Sequence, residues 1–241
     1  MNHNKISIVG HRGAAGEAPE NTLGSFQLAV HQGSNAVELD IHLSKDGHLI
    51  VCHDYTLDRT TNLKGLIKDN IFDEIQQADA GSWFSSKYAG EHVPSLEEVL
   101  ELLPPEVRVN VEIKSDSPEL RQKLILLLRS KNWMQRVFVS SFNHPCLINL
   151  KEEAPEIRIG LLYKEDYIAP SDINKRFNVS IYSLHPHHSL VNSVYMEEAR
   201  EHQLQVYPWT VNDKDRMLEL IELGVSGIIT DYPAILHDIL K

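Results

Sequence analysis

The chain is poor in cysteine: Cys52 and Cys146 are the only two in 241 residues, too few for a disulfide framework. It also has no run of about 18 apolar residues that would span a bilayer, and residues 1–10 hold no apolar core long enough for a signal peptide. Basic residues are few, 23 Lys and Arg against 34 Asp and Glu, for a net charge of −11. That balance argues against a nucleic-acid footprint and against attraction to an anionic membrane surface. An anionic small molecule remains compatible, because a local cluster of cations and a metal can outweigh the global field. The expectation is a soluble, cytoplasmic protein that acts on a small molecule, with no nucleic acid and no stable membrane insertion.

What is present is an ordinary apolar content of 42 %, enough for a sizeable core. Strand-like runs at 6–10, 36–43, 107–113, 137–140, 157–162, 179–184, 204–208 and 225–230 alternate with amphipathic helical patterns at 22–32, 119–131, 144–153, 191–202 and 214–223. Eight such strands, with a closing helix over 233–241, predict an α/β protein of the (β/α)8 TIM-barrel class in one domain, 1–241. The doubly wound alternative would place a glycine-rich phosphate turn after the first strand, and His11-Arg12-Gly13 is not one. From about 57 to 94 the rhythm breaks into Thr, Asn, Asp, Gly and Ser with Trp83, Phe84 and Tyr88 among them. This stretch is predicted to be a small insertion after the second strand, over the barrel mouth.

Polar residues gather at the ends of the apolar runs. In Val37-Glu38-Leu39-Asp40-Ile41-His42 and in Val109-Asn110-Val111-Glu112-Ile113-Lys114 the acids fall on the face opposite the aliphatics. A parallel barrel turns its aliphatic face outward to its helices, so Glu38, Asp40 and Glu112 should point inward. Buried acids persist when paired or bound to metal. Three carboxylates without a nearby cysteine describe a hard-cation site, Mg²⁺ or Ca²⁺, rather than zinc. Three carboxylates and one dication leave a single negative charge, which would repel a phosphodiester. Arg12 and Lys114 supply the missing positive charge, Arg12 as a planar fork and Lys114 as a point charge.

Lys45-Asp46-Gly47-His48 is a hairpin signal. A two-residue Asp46-Gly47 loop would pair Lys45 with His48 and, further along, set His53 opposite Asp40 with Cβ atoms ~4.5–5.5 Å apart. His11, at the end of the first strand, should face the same mouth. Two histidines flanking a phosphate suit a general base and a general acid.

At this point the ordered motifs resemble those of the bacterial glycerophosphodiester phosphodiesterases, nearly end to end. They are His11-Arg12-Gly13 with Pro19-Glu20-Asn21-Thr22, Glu38-Leu39-Asp40, His53-Asp54, Glu112-Ile113-Lys114, Trp209-Thr210-Val211-Asn212 and Asp231-Tyr232-Pro233. The resemblance implies a divalent cation held by Glu38, Asp40 and Glu112, an acid/base pair of His11 and His53, and a phosphate clamp of Arg12 and Lys114. It further implies that Trp209 and His185 line a glycerol pocket, that Glu20 and Asn21 organise the site, and that Asp231 either caps the last helix or touches ligand. The implied reaction is hydrolysis of a glycerophosphodiester to sn-glycerol 3-phosphate and an alcohol. Two other readings stand beside it. A phospholipase C- or D-like enzyme acting on lysophospholipids or phospholipids would need a membrane-docking surface. A non-catalytic phosphoester-binding module would be expected to lack one of these polar residues.

Overall fold

The computed structural model describes residues 6–165 and 167–241; residues 1–5 lie outside it. Among the described residues nine strands form one sheet: β1 (Ser7–His11), β2 (Ala36–Leu43), β3 (Leu49–Val51), β4 (Arg108–Ile113), β5 (Val137–Ser141), β6 (Arg158–Tyr163), β7 (Ser183–Pro186), β8 (Gln205–Val206) and β9 (Gly227–Thr230). Eight are parallel, in the order β8-β7-β6-β5-β4-β2-β1-β9, and β3 hangs antiparallel on β2. Ser226 N donates to Val206 O at 2.9 Å and Ile229 N to Pro208 O at 3.0 Å, which joins the last two strands and closes the ring. The fold is the expected (β/α)8 barrel.

Side-chain alternation sorts the residues. Val109, Val111 and Ile113 of β4 belong to the outer apolar layer shared with the helices, while Asn110 and Glu112 turn inward. Val9, Ala36, Tyr207 and Ile229 make a smaller apolar cluster inside the barrel. The longer helices are α1 (Leu23–His31), α4 (Pro118–Ser130), α5 (His144–Glu153), α7 (Ser193–Glu201) and α8 (Lys214–Leu223), and α9 (Pro233–Ile239) ends the chain. Their starts are capped from the sequence: Thr22, Ser117, Asn143, Asn192 and Asp213 each accept a hydrogen bond from a first-turn N–H. No helix among the described residues is long and apolar enough to cross a membrane. Both cysteines are buried and free.

Three sequence expectations are corrected. The strand expected at 179–184, β7, begins at Ser183, so 179–182 runs as coil before the sheet. Two crossover helices were hidden: α3 (Leu96–Leu102), opened by a Ser95–Glu98 capping box, and the single-turn α6 (Ile173–Arg176). The hairpin register is shifted by one residue. Ile41 pairs with Val51, and Ser44 with His48 across a three-residue loop in which Gly47 has a φ of +83°. Ser44 Oγ donates to Asp46 Oδ1 and accepts from His48 N, which selects the longer turn over the two-residue one. Asp40 therefore faces Cys52, whose N–H it accepts at 3.1 Å, and the strand ends before His53.

The predicted insertion is a unit with a core of its own, in which Leu57, Ile67, Ile75, Ala80 and Val93 pack with Ile50 and Cys52. It includes the short α2 (Phe72–Gln76). Trp83, Phe84 and Tyr88 form an edge-to-face series within it.

Candidate active site

The carboxyl ends of β1, β2 and β4, together with the turn after β3, meet at one cavity of about 130 Å³. Its polar lining includes His11, Arg12, Glu38, His53, Asn110, Glu112 and Lys114, and its apolar lining Phe142, Leu162, Trp209 and Ile229. None of its lining residues comes from 57–94.

The chain reverses sharply after β1. Arg12 has a φ of +50° and Gly13 of +89°; a side chain at Gly13 would collide with Ser25. The turn aims Arg12 N at Glu38 Oε2 (3.1 Å) and its guanidinium at Glu20 Oε1 (2.9 Å) and Asp40 Oδ2 (3.4 Å). Asn21, also at positive φ, donates from Nδ2 to Asp40 Oδ2 at 2.9 Å.

Glu38, Asp40 and Glu112 each offer an oxygen, and the three oxygens lie within 4.8 Å of one another. All three residues are buried. Lys114 Nζ sits 2.7 Å from Glu112 Oε1 and 3.0 Å from Asp40 Oδ1, a positive charge already lodged among them. The electrostatics of the three differ. Burial, with the charges of Asp40 and Glu112, raises the pKa of Glu38 well above the usual carboxylate range. Burial beside Asp40 pushes Glu112 up to about 7. Burial works the same way on Asp40, but Lys114 and Arg12 together outweigh it and hold Asp40 well below the usual range. Glu38 and Glu112 bear negative charge here only at a cost, and a hard dication among the three oxygen donors would favour their ionised forms. The residues present are therefore able to hold such an ion.

Each cavity histidine is braced by a carboxylate. His11 Nδ1 is 2.6 Å from Asp231 Oδ1, leaving Nε2 toward the cavity 3.9 Å from Glu38. Asn212 holds Asp231 from both sides, donating from Nδ2 to Oδ2 (2.6 Å) and accepting the Asp231 N–H at Oδ1 (3.0 Å). His53 Nδ1 is 2.6 Å from Asp54 Oδ1. Burial lowers the His53 pKa in spite of Asp40. Arg59 grips Asp54 from Nε (2.7 Å) and Nη2 (3.1 Å) and reaches Glu20 with Nη1 and Nη2 (2.8 Å each). His42 Nε2 meets His53 O at 3.2 Å. Although the register is shifted, these contacts bring His53 to the cavity.

The structure thus brings together Glu38, Asp40, Glu112, His11, His53, Arg12, Lys114 and Trp209. It does not bring His185 there. That side chain is fully buried inside the barrel between Phe138 and Tyr207, with Nε2 2.9 Å from Ser183 Oγ, and burial drives its pKa down to about 3. Only its backbone serves the mouth, by accepting the Trp209 indole N–H at 2.8 Å. Trp209 packs edge to face on Phe142 at 5.5 Å. Sequence reasoning missed Arg59, Phe142 and the bracing role of Asp54. Only the Asp54 contact carried a signal, since the residue directly follows His53.

A closed parallel barrel with paired acids, histidines and cations at its carboxyl-terminal mouth defines a (β/α)8 enzyme equipped for an anionic substrate. Residues 11–235 match the model of the glycerophosphoryl diester phosphodiesterase family, and the chain belongs to that family. A glycerophosphodiester phosphodiesterase of Caldanaerobacter subterraneus subsp. tengcongensis is 41 % identical over 241 residues, 98 % of each chain. Among solved structures, an Oleispira antarctica phosphodiesterase in complex with the product sn-glycerol-3-phosphate superposes with a TM-score of 0.88 at 33 % identity, over 96 % of this chain and 95 % of that one. A glycerophosphodiester phosphodiesterase from Agrobacterium tumefaciens gives 0.86 at 32 % identity, over 97 % and 99 %.

Proposed function

We propose that this enzyme hydrolyses glycerophosphodiesters to sn-glycerol 3-phosphate and a free alcohol, with a divalent cation held by Glu38, Asp40 and Glu112. The observation that carries the reading is the convergence of that carboxylate triad with two carboxylate-braced histidines in one cavity. The product-bound relative of the same fold supports the choice of substrate. Mg²⁺ and Ca²⁺ both suit the all-oxygen donor set. When bound, such a cation supplies polarisation of the phosphoryl oxygens and acidifies a hydroxyl beside it.

The chain's own residues do the rest. Arg12 and Lys114 hold the phosphodiester anion. One of His11 and His53 takes the proton from the attacking hydroxyl through Nε2, and the other returns a proton to the departing alkoxide as the P–O bond breaks. Asp231 and Asp54 keep Nδ1 of each ring engaged, so Nε2 is the nitrogen presented to substrate. Trp209 and Phe142 offer an apolar wall to the carbon skeleton. We place the enzyme in the cytoplasm, a reading that cell fractionation tests.

The experiment is release of sn-glycerol 3-phosphate from glycerophosphocholine and glycerophosphoethanolamine with Mg²⁺, with Ca²⁺ and with excess EDTA. Release that EDTA abolishes and added cation restores is expected. No release with either cation, from protein shown to be folded, overturns the reading.

A further inference from the structure

Asn110 lies on β4 two residues before Glu112 and beside Glu38 in the sheet register. Its side chain points into the barrel and contributes to the cavity lining, one layer below Glu112. It is 1 % exposed, and neither its amide nitrogen nor its carbonyl oxygen has a hydrogen-bond partner. Among the described residues no other buried side-chain amide has both its nitrogen and its oxygen left open. Buried polar groups almost always find partners, and an unpaired one destabilises the fold. On its other side the register partner is Phe138, so an apolar side chain would suit the packing without that cost. The amide therefore points to something that enters the cavity.

Its chemistry narrows what enters. A carboxamide presents a donor and an acceptor side by side and carries no charge. A phosphate oxygen only accepts and an ammonium only donates, so either would leave half of the amide unpaired. A hydroxyl does both. The apolar part of the lining, Phe142, Leu162 and Trp209, suits the carbon skeleton of a polyol.

We propose that Asn110 is a substrate-positioning residue whose amide engages a hydroxyl of the glycerol moiety, so that the enzyme distinguishes glycerophosphodiesters from diesters lacking a polyol. This rests on the reading under Proposed function. Both ester types share the same phosphate clamp and carboxylate triad, and only one offers a hydroxyl to Asn110.

The test compares full-length wild type, Asn110→Ala and Asn110→Ser on glycerophosphocholine and on bis(p-nitrophenyl) phosphate, with Mg²⁺ affinity measured by calorimetry. For Asn110→Ala, kcat/KM on glycerophosphocholine should fall by about 10–100-fold, the loss expected when a hydroxyl loses its partner in a site built to bond it. Rates on bis(p-nitrophenyl) phosphate and Mg²⁺ affinity should stay within about threefold. Serine, which keeps a donor and an acceptor, should recover part of the loss. Equal losses on both substrates, or an unchanged rate on glycerophosphocholine, would overturn the proposal and leave Asn110 as a packing or water-binding residue. If Asn110→Ala does not fold, the same two-substrate comparison with Asn110→Ser decides. A wild type that cleaves bis(p-nitrophenyl) phosphate but not glycerophosphocholine would overturn the glycerophosphodiester reading itself, and the Asn110 assignment with it.

Discussion

Asp231 Oδ1 stands 2.6 Å from His11 Nδ1, although 220 positions separate the two residues in sequence. The contact exists because β1 and β9 are parallel neighbours in the closed ring, with Gly10 beside Thr230. It gives His11 a fixed tautomer and a fixed ring plane. Asp231→Asn should therefore lower kcat by about 10–100-fold with little change in melting temperature, and His11→Ala by about 10²–10⁴-fold. Steady-state kinetics beside thermal melts check both. An Asp231→Asn enzyme with wild-type kcat would make the residue a plain connector of β9 and α9.

Arg59 should behave as a remote support of the same kind. It ties Asp54, and through it His53, to Glu20 and the Arg12 clamp. Arg59→Ala should reduce kcat by about 10-fold and raise KM, while leaving divalent-cation affinity unchanged. The ion pair also predicts a pH effect. Its hydrogen bond from Arg59 holds the Asp54 pKa down to about 2. A depressed carboxylate stabilises the fold above its unfolded pKa, ~4, and that contribution is lost as pH falls toward 2. Acid denaturation of Arg59→Ala followed by circular dichroism should accordingly show a shallower loss of stability between about pH 4 and 2 than wild type.

Glu38→Gln and Glu112→Gln each remove one negative donor from the triad. Cation affinity should drop by about 10–100-fold in both, and high Mg²⁺ should partly restore turnover. Unchanged affinity by calorimetry, with no rescue by added metal, would remove the residue from the ligand set. Because Lys114 still pairs with Asp40 in both, neither variant is expected to unfold in EDTA.

His185→Ala separates packing from binding. The ring fills space between Phe138 and Tyr207 and does not line the cavity. Its loss should cost about 2–4 kcal/mol of stability through the void it leaves, with KM for glycerophosphocholine within about twofold of wild type. A large rise in KM with an unchanged melting temperature would return His185 to the glycerol pocket.

Much of this was written locally. The alternation along β2 and β4 placed Glu38, Asp40 and Glu112 inside the barrel, since strand side chains change face at every residue and only the aliphatic face can receive helices. Thr22, Asn143 and Asp213 fix their helix starts through an equally local need, that of first-turn N–H groups for an acceptor. Tertiary structure decided what depends on closure and on competing turn geometries. Ser44, Asp46 and a left-handed Gly47 chose a three-residue turn, which moved the register by one and left the placement of His53 to Asp54, Arg59 and His42. Which acid braces His11, and whether the His185 ring or only its carbonyl serves the mouth, followed from the order and tilt of strands far apart in the chain. Pairing over such separations is set by the packing of the whole barrel, and no local run of residues encodes it.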